Sequence, residues 1–313
     1  MTGVNQCEHC ARTKAEPIII SSGGEMKAFC SAECVMLEDG GKGDLWKSMV
    51  KMRDELLASM EKSRQSRVIT LIHRCEFKEG GDQYITIDNT EEILQEIRAT
   101  PAETRIDFII HCPGGMVLPA EQIALALRSH SGGVSAIVPY YAMSGATLVC
   151  LAADEVIMEP FSVLGPLDPQ IGDFPSPSLL KLLEVKPVES ISDEMVMLAD
   201  LAEKALAQMR EFVVSLLSDR MNQEEARKVA EYFTGGYLTH DSAITSRELK
   251  SLGLPVKTGV PPEVHRFMKM HRLVQRSPSG GSGPIRYSVS GQGSSYHGRR
   301  EDRGGGSANK NEF

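Results

Sequence analysis

Ser144 and the paired glycines Gly114 and Gly115 have the residue types and the spacing that nucleophilic catalysis requires. The serine precedes a run of small and apolar residues, which predicts a helix over residues 145–153 with the hydroxyl at its start. A group at that place meets the unpaired amides and the positive dipole end of the first helical turn. Glycines allow positive φ, so their amides can point at a developing oxyanion without a Cβ in the way. The pattern predicts a serine nucleophile facing an oxyanion site.

Two strand-turn-helix units must position these residues. An apolar strand over residues 106–110 leads into the glycines, and an amphipathic helix follows them as far as residue 127. A second apolar strand over residues 134–138 leads into the turn that carries Ser144. In open α/β sheets, ligands bind at the carboxyl ends of neighbouring strands. We therefore predict an α/β fold with the serine and the glycines at one edge of a sheet.

The motifs HCPGGMV and YYAMSGATLVCLAADEVIM resemble the Clp-protease/crotonase superfamily. The longer series RVITLIHR, PGGMVLPAEQIA, PYYAMSGATL, AADEVIM and VLGPLDPQIG is most similar to the serine dehydrogenase proteinase family, itself similar to bacterial signal peptide peptidase A. The resemblance covers residues 67–256. It implies a Clp/crotonase-like spiral of ββα units, a polypeptide substrate and a homo-oligomer. It also implies oxyanion donors at Gly114, Gly115 and Gly145.

The choice of general base decides the mechanism. Clp proteases follow the serine with a histidine and then an aspartate, but residues 131–239 contain no histidine. Asp168 falls where the Clp histidine would be, and His240 with Asp241 falls where the Clp aspartate would be. The family resemblance implies the order Ser, Asp, His, with His240 as base and Asp168 as the acid; Asp241 and Asp200 are alternative acids.

A lysine is the second candidate base. Signal peptide peptidase A uses a Ser/Lys dyad, and the resemblance of the segment ESISDEMV to its helix-start motif points to Lys186 as the partner of Ser144. A lysine acts as a base near pH 7 only when burial and positive neighbours lower its pKa. The sequence does not reveal burial, so both bases stay open.

The first 40 residues contain Cys7 and Cys10 in one C-x2-C pair and Cys30 and Cys34 in a second pair. Four thiolates from two short loops form a tetrahedral structural Zn²⁺ site, and the pattern resembles treble-clef fingers. So short a segment cannot build an adequate core alone. Two disulfides or four unrelated thiols are the alternatives, but a cytosolic chain would not keep disulfides. A protein partner for this finger is a further expectation.

Composition narrows the function classes. Of 313 residues, 41% are hydrophobic and 24% are charged, which is ordinary for a soluble globular protein. The net charge of −8 argues against nucleic acid as a partner. No apolar run approaches the ~18 residues of a membrane span, and the first residues lack a signal-peptide core. We expect a cytoplasmic protein without a transmembrane segment.

Four regions are predicted: a zinc finger over residues 1–40, an amphipathic helix over 41–66, the peptidase domain over 67–262, and a short helix with a disordered Gly/Ser-rich tail over 263–313. The apolar stripe of the second region suits either an arm helix that packs on a neighbouring subunit or a cover for its own domain. Because Clp-like folds oligomerise through projecting helices, the arm is slightly favoured.

Three functions compete. The first is a serine peptidase, which should lose reaction with a serine-directed phosphonate when Ser144 is replaced. The second is a crotonase-like acyl-CoA enzyme that uses the same oxyanion site and would keep thioester turnover without Ser144. The third is a non-catalytic scaffold in which the zinc finger and an inert Clp-like core assemble other proteins.

Overall fold

The structure is a computed structural model that describes residues 8, 17–22, 25–29, 32–39, 43–73 and 84–271. Its amino-terminal elements are β1 (Ile18–Ser22), β2 (Glu25–Phe29), α1 (Ala32–Asp39) and α2 (Asp44–Arg64). The central elements are β3 (Ser66–Ile72), α3 (Ile87–Ala99), β4 (Arg105–His111), α4 (Val117–Arg128), β5 (Val134–Val138), β6 (Tyr141–Ala142), α5 (Gly145–Ala152) and β7 (Glu155–Met158). The remaining elements are β8 (Val163–Leu164), β9 (Gln170–Ile171), β10 (Phe174–Pro175), α6 (Ser176–Val185), α7 (Asp193–Leu217), α8 (Gln223–Thr234), β11 (Ile244–Thr245), α9 (Ser246–Ser251), β12 (Val256–Thr258) and α10 (Pro262–Lys269).

A parallel sheet in the strand order β12-β7-β5-β4-β3 forms the centre of the fold. Successive side chains of a strand point to opposite faces. On β4, Ile106, Phe108 and Ile110 pack into the cluster that contains residues of α4, α5 and α7, whereas Ile109 packs into the opposite cluster with α2 and α10. Burial on both faces explains why these strands are continuous apolar runs. The predicted α/β fold is confirmed, and its central sheet is parallel.

Helix α2 packs on its own chain, so the slight preference for a projecting arm is wrong. Its first half, with Leu45 and Met49, joins the apolar cluster of the β1–β2 hairpin, and Met60 lies buried against the sheet. At its end, the Arg64 guanidinium binds both carboxylate oxygens of Asp107, which is fully buried on β4. The amphipathic stripe that suggested an intersubunit contact is used to cover the sheet.

The predicted region boundary at residue 262 also needs correction. Helix α10 begins at Pro262, and its side chains Val264 and Phe267 pack into the same cluster as the sheet and α2. It therefore belongs to the main domain. Helix α3 follows Thr86, whose side chain and backbone form a reciprocal capping box with Asn89.

The other predicted elements agree closely with the structure. The strand expected at residues 134–138 is found there, and the other predicted helices and strands differ only at their ends. None of the described helices combines the length and the apolar content needed to cross a bilayer. The tail from residue 272 onward and three of the predicted zinc ligands, Cys7, Cys10 and Cys30, lie outside the described residues.

Candidate active site

Ser144 occupies a sharp turn between β6 and α5. It is the residue before the helix and has φ 51° and ψ −126°, a conformation that costs a non-glycine residue about 1–3 kcal/mol. The turn is held from both sides, since the Met143 N–H donates to the Cys112 carbonyl at 3.0 Å and the Ser144 carbonyl accepts from Thr147 at 2.8 Å. Strain of this kind at a strand-to-helix turn is typical of a serine nucleophile. The predicted position at a helix start is confirmed.

The glycine loop lies directly against the serine. A Cβ placed on Gly114, where φ is 110°, would come within 2.7 Å of the Ser144 Cβ. A Cβ on Gly115 would come within 2.3 Å of the Ile85 backbone. Both close approaches require residues without a side chain.

Two backbone amides are open toward the space beside Ser144. The Gly114 carbonyl accepts from the Ile85 N–H at 2.7 Å, and because the peptide is trans, the Gly115 N–H points the opposite way. Gly145 is the first residue of α5, so its N–H has no partner within the helix. A Cβ on Gly145 would lie 3.6 Å from the Gly115 nitrogen, which shows how closely the two amides approach. The Gly114 N–H is different, since it donates to the Cys112 sulfur at 3.3 Å.

Asp168 and His240 meet although 71 residues separate them in the chain. The His240 Nδ1 and the Asp168 Oδ1 are 2.7 Å apart, and the Asp168 side chain is only 3% exposed, whereas that of His240 is 31% exposed. Gln170 donates from its Nε2 to the other carboxylate oxygen, Oδ2, at 2.8 Å and to the Asp168 main-chain carbonyl at 3.1 Å. Gln170 was not predicted from the sequence. Its position in LDPQIG, two residues after the aspartate, was the feature that could have indicated a contact with Asp168.

A cavity of about 250 Å³ is lined by the serine, the oxyanion glycines and Asp168. Its polar wall includes Gly115, Ser144, Gly145 and Asp168, and its apolar wall comes from several elements. The apolar lining residues are Met116, Val117, Leu148, Leu167 and Met209. Among the described residues, the Ser144 hydroxyl has no hydrogen-bond partner. The cavity is therefore a small, largely apolar pocket that opens beside a serine hydroxyl and two amides.

Comparison with known proteins bears directly on this arrangement. The sequence model of the family described as ClpP-like SDH-type serine proteinase matches residues 44–292, which is most of the chain. The chain belongs to this family. It is a serine protease, in agreement with the resemblance that the motifs indicated.

Two relatives of this serine protease are proteins of Methanocaldococcus jannaschii. The uncharacterized protein MJ0137 is 46% identical over 231 residues, covering 72% of this chain and 81% of the relative. The uncharacterized protein MJ1495 is 44% identical over 226 residues, covering 71% and 77%. Among solved structures, a mutant of a membrane-bound stomatin-specific protease is similar with a TM-score of 0.40 and 19% identity, over 59% of this chain and 79% of that one.

The alternative site residues of this serine protease lie elsewhere. Lys186 follows α6 and is exposed, and it is not among the residues that line the Ser144 cavity. Asp241 accepts a hydrogen bond from the Thr239 hydroxyl at 2.9 Å, and Asp200 pairs with an exposed lysine of its own helix. The cavity brings together Ser144, Gly115, Gly145 and Asp168. His240 contacts Asp168 but, like Lys186, Asp200 and Asp241, is not among the residues that line the cavity.

The amino-terminal cysteines are described only in part. Cys34 is buried in α1, within the apolar cluster that the β1–β2 hairpin and α2 form. Glu8, which lies between Cys7 and Cys10 in the sequence, donates its N–H to the Ala28 carbonyl at 2.8 Å. Of the four predicted zinc ligands only Cys34 is described, and the described residues alone contain no group of metal ligands.

Proposed function

We propose that this serine protease hydrolyses peptide bonds through an acyl-enzyme on Ser144, with His240 as general base and Asp168 as the group that orients it. One observation carries the proposal: Asp168 lines the Ser144 cavity and is also 2.7 Å from the His240 Nδ1. A triad is defined by geometry and roles rather than by chain order. The order Ser, Asp, His is therefore compatible with the chemistry.

The hydrogen bond to Asp168 assigns the roles of the two ring nitrogens. A carboxylate accepts but does not donate, so the neutral His240 ring has its proton on Nδ1, and Nε2 is left as the acceptor. Nε2 is the atom that takes the proton of the Ser144 hydroxyl. Among the described residues no hydrogen bond joins His240 to Ser144, and catalytic hydrogen bonds are commonly long in the absence of substrate.

The oxygen of Ser144 attacks the scissile carbonyl carbon, and the carbonyl electron pair moves onto the oxygen. The Gly115 and Gly145 N–H groups hold this oxyanion, a type of donor whose loss typically lowers kcat by about 10² to 10³. The oxyanion then collapses, and the C–N bond breaks as His240 gives its proton to the leaving amine. Water next attacks the acyl-enzyme with His240 as base, and the ester bond to Ser144 breaks as His240 returns the proton to the serine oxygen. The apolar wall of the cavity fits one apolar side chain of the polypeptide substrate.

Labelling with a fluorophosphonate probe, together with hydrolysis of fluorescein-labelled casein, tests the proposal. We expect the parent chain to be labelled, Ser144→Ala to be unlabelled and His240→Ala to be labelled at least about 10³ times more slowly. Lys186→Met should be labelled at the parent rate. A Lys186→Met variant that loses labelling while His240→Ala keeps it would replace the triad with a Ser/Lys dyad.

The same variants separate the other functions. Thioester turnover that survives Ser144→Ala would favour a crotonase-like acyl-CoA enzyme. A folded parent chain that neither reacts with the probe nor hydrolyses casein would favour a scaffold. Homo-oligomer formation and a protein partner for the amino-terminal segment stay predictions, which sedimentation and pull-down experiments with the full chain address.

We also propose a structural Zn²⁺ held by Cys7, Cys10, Cys30 and Cys34. The buried position of Cys34 and the bond from Glu8 to the second strand of the hairpin support it. Bound zinc would cross-link the two cysteine pairs and stabilise this small subdomain. Elemental analysis should find one zinc per chain, and Cys34→Ser should reduce it. A metal-free chain whose thermal unfolding is unchanged by chelator would contradict this proposal.

A further inference from the structure

A partly buried series of hydrogen-bonded polar groups lies beneath the oxyanion loop. Cys112, the residue after β4, has its sulfur 2.9 Å from the His73 Nδ1. The same sulfur is 3.3 Å from the Gly114 carbonyl oxygen and 3.3 Å from the Gly114 nitrogen. One thiol thus contacts both the N–H and the C=O of Gly114. The proposed mechanism gives this thiol no chemical step.

The position of Asn89 fixes the direction of the hydrogen bonds. Its Oδ1 accepts the Thr86 N–H at 3.0 Å, so its Nδ2 is the atom that faces the His73 Nε2 at 3.4 Å. With Nε2 accepting, the neutral ring has its proton on Nδ1 and donates it to the Cys112 sulfur. The thiol proton is then free to bind the Gly114 carbonyl. Asn89, His73 and Cys112 thus each have one consistent set of donor and acceptor roles.

Burial keeps both groups in the required protonation states. It raises the pKa of Cys112 to about 12, so the thiol keeps its proton and remains a donor. It lowers the pKa of His73 to about 4, so the ring is neutral at neutral pH.

The orientation of the peptide between Gly114 and Gly115 links these hydrogen bonds to catalysis. The Gly114 carbonyl and the Gly115 N–H belong to the same planar trans peptide, so they point in opposite directions. The hydrogen bonds that the Gly114 carbonyl accepts from Ile85 and Cys112 therefore also orient the Gly115 N–H toward Gly145. Because glycine backbones rotate easily, this orientation depends on bonds of that kind.

We propose that Cys112, oriented by His73, is a positioning residue that fixes the Gly115 N–H in the direction of the oxyanion. The inference rests on the proposed serine peptidase mechanism. It adds a residue that touches neither substrate nor the reacting atoms but, together with the Ile85 N–H, holds one oxyanion donor in its orientation.

Cys150 provides a matched control. It is another fully buried cysteine of the same apolar cluster, but it lies within α5 and, among the described residues, forms no hydrogen bond with the glycine loop. Cys112→Ala and Cys150→Ala remove the same atom from the same core. A general packing effect should appear in both variants, whereas a positioning effect should appear only in the first.

The test measures the labelling kinetics of the full chain with a fluorophosphonate probe, separated into the binding constant and the maximal rate of inactivation. Cys112→Ala should lower the maximal rate at least about tenfold with little change in binding, because only the transition state uses the oxyanion donor. Cys112→Ser, which keeps a donor and an acceptor, should recover most of the loss. Cys150→Ala should label at about the parent rate.

Each outcome bears on the inference. Equal maximal rates for Cys112→Ala and Cys150→Ala would overturn it, and so would a Cys112→Ser variant as slow as Cys112→Ala. If Cys112→Ala does not fold, His73→Leu takes its place, and an unchanged maximal rate in that variant would overturn the inference. A parent chain that is not labelled would instead refute the peptidase mechanism itself.

Discussion

Replacing Asp168 with asparagine tests the proposed triad most directly, because the side chain keeps its shape and loses one acceptor. In the structure the two carboxylate oxygens accept from different donors, His240 at 2.7 Å and Gln170 at 2.8 Å. Asparagine has one acceptor oxygen, so its amide nitrogen must face one of these two donors. Two N–H donors that face each other at this buried place would lower the free energy of unfolding by about 1–3 kcal/mol, unless one of them can become an acceptor.

The His240 ring is the partner that can turn from a donor into an acceptor at Nδ1. Gln170 is held by two bonds to Asp168, one to the side chain and one to the main chain, whereas a neutral imidazole can move its proton from Nδ1 to Nε2. The asparagine amide should therefore donate to Nδ1, which leaves the proton on Nε2. In that tautomer His240 cannot accept the proton of Ser144.

The expected loss follows from comparable triads. An orienting aspartate changed to asparagine lowers kcat by about 10⁴ in the chymotrypsin template, which corresponds to about 5 kcal/mol at 1.36 kcal/mol per tenfold change. We expect Asp168→Asn to lower casein hydrolysis and fluorophosphonate labelling by about this factor. The free energy of unfolding should change by no more than about 1 kcal/mol, since shape and burial are kept.

Asp241→Asn is the matched control. Asp241 is the chain neighbour of His240, but its carboxylate is exposed and accepts from Thr239, so its replacement should leave activity within about twofold. An Asp168→Asn variant that keeps more than a tenth of the parent rate would refute the tautomer argument. If Asp241→Asn were the inactive variant, the acid would have to be reassigned.

Three further predictions concern the loop, the sheet and acid stability. Gly114→Ala should lower labelling at least about 10²-fold because the new methyl group displaces the oxyanion loop, whereas Gly253→Ala, which has positive φ but open space, should only destabilise the chain by about 1 kcal/mol in urea unfolding. Arg64→Met should lower the free energy of unfolding by about 3–5 kcal/mol because it leaves the fully buried Asp107 carboxylate without its guanidinium partner; a loss below about 1 kcal/mol would contradict this role. The pKa of His73 is lowered by burial from 6.5 to about 4, so the unfolded chain binds the extra proton first and stability should fall as the pH drops from about 6.5 to 4. The loss should be on the order of 1–3 kcal/mol in urea titrations and should be smaller in His73→Gln.

The amino-acid sequence by itself determined the local elements and the reactive turn. The apolar runs of β4 and β5 and the small-residue helix after Ser144 are patterns of adjacent residues, which is why the predicted strands and helices lie where the structure has them. The glycines at 114 and 115 also indicated from the sequence a turn with positive φ or a close approach of the backbone.

Tertiary structure alone decided which distant groups meet. Two carboxylates and one lysine were open alternatives to the pair Asp168 and His240, and only folding shows that the loops carrying that pair converge, while Lys186 stays exposed. The same limit applies to the hydrogen bonds around Cys112 and to the surface of the protein that α2 covers. Periodicity reports that a helix has an apolar face, but what that face packs against depends on contacts between residues far apart in the chain, which no local pattern encodes.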